Sequence, residues 1–250
     1  MLNLLLNDAI SIDAADGRRR VSLPGLLAAL TADGVSAFPR LRPHQRHAWH
    51  AFLAQLGAVA LHAAEEATPP DTADGWRALL RGLTPDHPDD APWTLVVDDP
   101  GRPAFMQPPA PPDAPAPKTP IPTPDALDVL VTSRNFDVKR AVAADAEPED
   151  WVFALVSLQT MEGFLGAGNY GVARMNGGFS ARPFLGLAPA DGGPGAHLRR
   201  DWRAMLAARA AIADANGYPE QGGKALLWLE PWDGRRCLRM DRLDPYFIEV

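Results

Sequence analysis

The sequence predicts an α+β fold, in which mixed helices combine with small antiparallel sheets or hairpins and long loops. Three observations support this fold class. Apolar residues recur at helical spacing over residues 43–66, short apolar runs flank a turn dipeptide near the N-terminus, and a proline-rich stretch at 107–124 excludes regular structure there. The 250-residue chain is 46% hydrophobic, so it can bury a substantial core.

The first elements are a hairpin and a short helix. Apolar runs lie on either side of Asp16-Gly17, a dipeptide that suits the positive φ angles of a tight turn, so residues 9–13 and 19–23 are predicted to pair. Ser22 is a good N-cap, and Pro24 fits the first turn of the helix that follows.

A core helix is predicted over residues 43–66, and it carries three histidines. His44 and His50 lie roughly 120° apart around the helix axis. At most two neighbouring histidines, one of them His47, can therefore share a face. A structural or solvent-exposed role is therefore favoured over a metal site. The single Cys237 excludes an internal disulfide and a thiolate zinc cluster, and no cofactor is expected.

The middle of the chain combines a short helix near Trp76 with extended and proline-rich segments. Residues 92–107 are predicted as a strand, a turn and a second extended piece. The strap at 107–124 is too rich in proline for a helix or a central strand. Two alternatives stay open for this strap: a linker between two domains, or a packed loop that crosses one domain.

A strand is predicted at residues 127–131, followed by a polar loop at residues 132–139. In this loop Phe136 lies between Arg134 and Lys139. Basic residues interleaved with an aromatic ring suit phosphate contact and base stacking. A solvated turn with one buried phenylalanine is the simpler alternative.

Gly166, Gly168 and Gly171 form the G-x-G-x-x-G pattern of dinucleotide-binding proteins, in which a strand enters the glycines and a helix leaves them. Here an apolar stripe that begins after Pro148 predicts that a helix enters, and a loop and strand leave. A nicotinamide site is therefore not expected. A nucleotide-binding enzyme that uses residues 166–171 stays as the alternative.

The segment after these glycines combines flexible backbone with hydrogen-bonding side chains. Glycine allows a backbone to approach another surface closely, while asparagine and arginine supply short and long donors. These properties suit contact with a nucleic-acid groove and its phosphates. A helix C-cap followed by a tight surface loop explains the glycines equally well.

Four blocks of the sequence carry a family resemblance: "NLLLNDAI", "PAFMQ", "VTSRNFDVKR" and "LQTMEGFLGAGNYGVARMNGGFSARP". In this order, and through about residue 190, they resemble the CasA-type large subunit of the type I-E CRISPR surveillance complex, Cascade. The resemblance implies a DNA-binding and RNA-binding subunit for antiviral defense. Such a subunit recognises the protospacer-adjacent motif (PAM), helps open the duplex and recruits the helicase-nuclease.

The same resemblance implies the contact residues and the partners. The partners are other Cascade subunits, the 5′ handle of the CRISPR RNA, double-stranded target DNA and the helicase-nuclease. The implied DNA-binding residues are Arg174, Asn176, Gly177, Gly178, Ser180 and Arg182. The implied RNA and subunit contacts are Thr132, Ser133, Arg134, Asn135, Phe136 and Lys139.

Three further expectations concern the whole chain. Family members are longer and end in a four-helix bundle, so residues 1–250 are expected to be the N-terminal large domain without that bundle, with the strap inside it. The sequence has no G-x-S-x-G, H-E-x-x-H or G-x-x-x-x-G-K-[ST] motif and no plausible Cys and His nucleophile pair, so the chain is expected not to be an enzyme. It has no apolar run that could span a membrane, so it is expected in the cytoplasm.

Overall fold

A computed structural model describes residues 2–112, 122–127, 146–162, 191–231 and 238–248. Within these ranges the chain forms helices and two small sheets, one antiparallel and one parallel. The predicted α+β class is therefore confirmed. None of the helices in the described ranges is long and apolar enough to cross a membrane.

The N-terminal hairpin forms as predicted. Strand β1 at Ile10–Ala14 pairs antiparallel with β2 at Gly17–Val21. Gly17 adopts a φ of 116°, which lies outside the range that most side chains tolerate. The turn dipeptide therefore fixes the register in which Ser11 faces Arg20.

Most helix starts follow the local signals of the sequence. The Ser22 hydroxyl accepts a hydrogen bond from the Gly25 amide at 3.3 Å, and Thr72 caps another helix in the same way. A 3-10 turn at Pro43–Gln45 leads into the predicted core helix. The helices before the strap are α1 at Leu23–Thr31, α2 at Arg46–Ala63 and α3 at Ala73–Gly82.

Two predicted strands are wrong where the structure describes them. Ala91–Trp93 is a 3-10 turn, and Thr94 makes only a single bridge, to Asn3. The reason is that the backbone hydrogen bonds of this stretch are divided between residues near the N-terminus and Phe105, whose amide donates to the Thr94 carbonyl. Leu127 ends a four-residue helix, α4 at Pro124–Leu127, which the proline starts. Residues 128–131 lie outside the described ranges.

A helix enters the glycine-rich segment, as predicted. Helix α5 at Pro148–Ser157 continues into a π-helical turn at Leu158–Glu162, and the described chain stops there. The glycines themselves lie outside the described residues. The part before them is thus helical, whereas the dinucleotide fold places a strand there.

The chain resumes before α6 at Pro194–Asn216, which is followed by a parallel pair of strands, β3 at Lys224–Leu226 and β4 at Leu243–Ile248. No prediction from the sequence corresponds to α6. One hydrophobic cluster extends in sequence from Leu4 to Ile248, so residues on both sides of the strap contribute to the same core.

Candidate nucleic-acid interface

Helix α5 is the element that both predicted contact segments adjoin. Residues 128–145 connect α4 to α5, and residues 163–190 follow the π turn at the other end of α5. Leu127, the last residue before the first segment, packs against Ala154 and Leu158. Both described ends of the first segment, and the described residue that precedes the second, therefore lie at α5.

The inner face of α5 is apolar and lies in the core. Val152, Phe153 and Val156 are buried, and the Phe153 ring meets the Trp49 ring edge-on at 5.0 Å between centroids. The Gln159 amide donates to the Met106 carbonyl at 3.0 Å. These contacts fix the rotation and the axial position of the helix.

The N-terminus of α5 is held by a buried carboxylate. The Glu149 side chain is fully buried, and it accepts hydrogen bonds from the Ser11 amide at 2.8 Å and the Ser11 hydroxyl at 2.6 Å. A buried charge is tolerated only where donors and counter-charges surround it. Helix α5 is therefore tied to strand β1 across 138 residues of sequence.

Two arginines supply the counter-charge for Glu149. Arg20 on β2 and Arg40 both approach its Oε1 atom, at 3.7 Å and 3.4 Å. Hydrogen bonding to Glu147 raises the pKa of Arg20, and hydrogen bonding to Asp150 raises the pKa of Arg40. Both guanidinium groups are thus held in place by carboxylates of the first turn of α5.

Local sequence explains why this turn forms. Pro148 occupies the first helical position, where no amide donor is needed. The Asp150 carboxylate accepts a hydrogen bond from the Glu147 amide at 2.9 Å, which closes a capping box. Acidic groups in a first turn are also favoured by the helix dipole.

A cavity of about 470 Å³ lies near the point where the described chain resumes. Its walls come from the end of α1, the start of α2 and residues 192–198, and they are largely apolar. The indole nitrogen of Trp49 and the Nε2 atom of His197 line this region without a hydrogen-bond partner among the described residues. The cavity thus combines a largely apolar wall with the polar side chains of Arg46, His50 and His197.

The histidines of α2 are not gathered into one site. The Nε2 atom of His50 lies 2.6 Å from an Asp201 carboxylate oxygen, which links α2 to α6. His47 is exposed. Across the described ranges, no group of three or more His, Cys, Asp or Glu side chains is arranged to hold a metal ion.

A larger cleft, of about 760 Å³, lies beside the C-terminal ends of α2 and α3. Arg209 and Asp244 form a buried ion pair there, with an Nη1 to Oδ1 distance of 3.0 Å. Burial and the nearby Arg209 charge lower the pKa of His62. The ion pair holds α6 to β4, and neither predicted contact segment begins or ends at this cleft.

The predicted contact residues all lie outside the described ranges, so their positions stay predictions. Sequence reasoning did not identify the Glu149 cluster that anchors α5. The acidic turn after Pro148 and the run of arginines at 18–20 were its only local signals. The unplaced residues are Thr132, Ser133, Arg134, Asn135, Phe136, Lys139, Arg174, Asn176, Gly177, Gly178, Ser180 and Arg182.

Comparison with known proteins identifies no relative of this chain. No family model, curated protein or solved structure matches the chain.

Proposed function

We propose that this chain is a non-catalytic, CasA-type large subunit of a cytoplasmic type I-E Cascade complex. In that role it contributes to recognition of the protospacer-adjacent motif, to duplex opening and to recruitment of the helicase-nuclease. The four sequence blocks support the family, and the position of α5 supports the role.

The observation that carries the proposal is that one helix joins both contact segments. Residues 132–139 would reach the RNA handle and a neighbouring subunit, and residues 174–182 would reach the DNA. Helix α5 lies between them in sequence, packed on the core through Phe153 and clamped at Glu149. A rigid helix in this place would keep the RNA contact and the DNA contact at a constant separation.

The chemistry of the glycine-rich segment fits a groove contact. Gly177 and Gly178 allow the backbone to approach a base-pair edge, while Arg174 and Asn176 offer donors to bases and phosphates. The guide RNA would read the remaining target sequence by base pairing, as in other RNA-guided effectors. The protein therefore needs to read only a short motif.

The alternative, a nucleotide-binding enzyme, is less well supported. A pyrophosphate site at Gly166, Gly168 and Gly171 needs a strand before the glycines, and residues 148–162 are helical instead. Calorimetry with NAD tests this alternative directly. Tight binding that is lost in Gly168→Ala would establish it and would overturn the proposal of a non-catalytic subunit.

Substitutions in the assembled complex test the DNA contact. We expect Arg174→Ala and Asn176→Ala each to weaken target binding by about 1–3 kcal/mol, the usual strength of a groove contact. Arg203→Ala is the matched control, because Arg203 is exposed on α6. Equal binding by all three variants in gel shifts would contradict the assignment of the glycine-rich segment to DNA.

The isolated chain should bind duplex DNA weakly at physiological salt. Its net charge is −7, so few counterions are released on binding. Little preference for a particular motif is expected without the other subunits. Tight, motif-specific gel shifts by the chain alone would mean that the glycine-rich segment is sufficient for recognition.

A further inference from the structure

We infer that the cavity between α1, α2 and the start of α6 binds a small organic acid, whose apolar body fills the cavity and whose carboxylate pairs with Arg46 at the mouth. This organic-acid site has a volume of about 470 Å³, within the range of small-molecule sites in proteins. Its lining includes none of residues 132–139 and 174–182, to which the proposed function assigns the RNA and DNA contacts.

One stripe of α2 forms a wall of this site. Its lining residues, Arg46, Trp49, His50 and Leu53, follow the i, i+3, i+4 and i+7 spacing that brings side chains to one face of a helix. Arg46 is exposed at one end of the stripe, whereas Trp49 and Leu53 are each only 2% exposed. The stripe therefore leads from a charge at the surface to an apolar interior.

The rest of the wall is mostly apolar. Leu30 comes from α1, Phe38 and Leu41 come from the segment before α2, and Leu198 comes from α6. The Phe38 ring meets the Trp49 ring edge-on, at 6.3 Å between centroids. A ligand body that is itself apolar can therefore lose its contact with water here, which is the main source of affinity for small ligands.

The lining carries an unbalanced positive charge. The Arg46 guanidinium makes no ion pair or hydrogen bond with the described residues, and no carboxylate belongs to the lining. A guanidinium presents its N–H donors in a planar fork that matches the two oxygens of a carboxylate. The site therefore favours an anionic head group over a neutral or cationic one.

Two carboxylates near the site, but outside its lining, are paired with arginines of α6. Asp201 lies 2.6 Å from Arg200, and Asp33 lies 3.7 Å from Arg199. Their negative charges are therefore balanced locally, and the charge of Arg46 is left for a ligand.

Two helix N-termini add to the attraction for an anion. Helix α2 begins at Arg46, and α6 begins at Pro194 after its N-cap Gly193, and all three residues line the site. Neither helix has an acidic residue in its first turn. The positive end of each helix dipole therefore remains unbalanced by a side chain of its own helix.

The wall also lacks a hydrogen-bond acceptor. The Nε1 atom of Trp49 and the Nε2 atom of His197 are buried without a partner among the described residues. An indole N–H can only donate, and a buried donor without an acceptor is unfavourable. The oxygens of a carboxylate are acceptors of the kind that this wall lacks.

The test uses phenylpropionate and its neutral amide, phenylpropionamide, as matched probes. Each is titrated into the isotope-labelled chain, and binding is followed by NMR at the indole N–H signal of Trp49, which is identified by its absence in Trp49→Phe. We expect a dissociation constant of about 1 mM or lower for the acid. The amide should bind about three- to tenfold more weakly, because it cannot form the ion pair.

Three variants locate the two parts of the ligand. Arg46→Gln should weaken binding of the acid about three- to tenfold and leave the affinity of the amide unchanged. Arg242→Gln is the matched control, because Arg242 is also exposed, makes no ion pair with the described residues and lies outside the lining. Ala37→Phe adds a large side chain at an exposed position of the lining, so it should weaken both probes. Thermal unfolding of each variant checks that the fold is kept.

Selective loss of the acid in Arg46→Gln, with loss of both probes in Ala37→Phe, supports the inference. It is overturned if neither probe binds up to about 10 mM, or if acid and amide bind equally. Equal weakening in Arg242→Gln would exclude a specific pairing with Arg46, and binding that Ala37→Phe leaves unchanged would place the ligand outside this cavity. Because the isolated chain is used, these results do not depend on whether it assembles into Cascade.

Discussion

Helix α5 is held at two junctions of opposite character. Its inner face joins the core through Val152, Phe153 and Val156, which make only apolar contacts of the kind any buried helix makes. Its N-terminus joins the hairpin through Glu149, with Ser11 as donor and arginines as counter-charges. The first junction depends on shape and buried area, and the second depends on the charge state of one side chain.

The two junctions differ in which side chains can be exchanged without loss of stability. Apolar side chains tolerate replacement when volume is kept. A buried carboxylate with two hydrogen bonds to Ser11 does not, because removal of either partner leaves a buried polar group unsatisfied. The ionic junction is therefore the more specific of the two.

The largest loss of stability is expected at the apolar junction. Phe153→Ala should lower the free energy of unfolding by about 3–5 kcal/mol, the range for a buried phenylalanine. Urea unfolding measures the change, and Val96→Ala is the control because Val96 is 62% exposed. A similar, small effect of both variants would mean that α5 is not packed on Trp49.

A smaller loss is expected at the ionic junction. Glu149→Gln keeps the shape but puts an amide group where Ser11 and Arg40 need an acceptor, so the free energy of unfolding should fall by about 1–3 kcal/mol. Combined with Ser11→Ala, the two losses should not add, because they remove the same contact. Full additivity in urea unfolding would contradict the geometry of this junction.

The smallest effect is expected at a more exposed ion pair. Arg81 donates to both carboxylate oxygens of Asp90, at 2.9 Å and 2.6 Å, and this lowers the pKa of Asp90. The folded pKa lies below the unfolded one, so the pair stabilises the fold above the unfolded pKa of about 3.9 and loses this contribution as the pH falls through the folded value.

The variant Asp90→Asn lacks this ion pair, so its free energy of unfolding should fall less between about pH 4 and pH 2 than that of the unsubstituted chain. The difference should be less than about 1 kcal/mol, because Arg81 is half exposed. Thermal unfolding as a function of pH measures it. Asp214→Asn is the control, since Asp214 is exposed and makes no ion pair with the described residues. Identical pH profiles for Asp90→Asn and the unsubstituted chain would contradict the contribution of this pair.

Sequence patterns predicted the elements whose signals are local. Asp16-Gly17 determined the hairpin, Ser22 the start of α1, and the proline at 148 the start of α5. The prediction for residue 127 was wrong because a short apolar run does not distinguish a buried helix from a strand.

Helix α6 shows that a signal can be present and still be missed. Pro194 starts it, Gly217 ends it with a φ of 73°, and Leu198 and Trp202 lie on its buried face. Arg209 interrupts this apolar stripe, because it is buried with Asp244 rather than exposed to solvent. A charged residue on a buried face hides the helical period that a sequence pattern needs.

The cluster around Glu149 could not be predicted, for a related reason. The glycines and the basic loop are visible in sequence because their composition is unusual. The cluster around Glu149 is not, since Ser11 and Glu149 are 138 residues apart and no local pattern relates them. Tertiary pairs of this kind follow from the fold and not from the spacing of residues.

The most direct test of the proposed role is co-purification with CRISPR RNA. The tagged chain is expressed with the other subunits of a type I-E complex and a CRISPR array, and the RNA that elutes with it is sequenced. Processed CRISPR RNA that carries the 5′ handle, eluting with the backbone subunits in one complex, is the predicted result. Elution of the chain without RNA, while the other subunits assemble with their guide, would contradict its assignment as a Cascade large subunit.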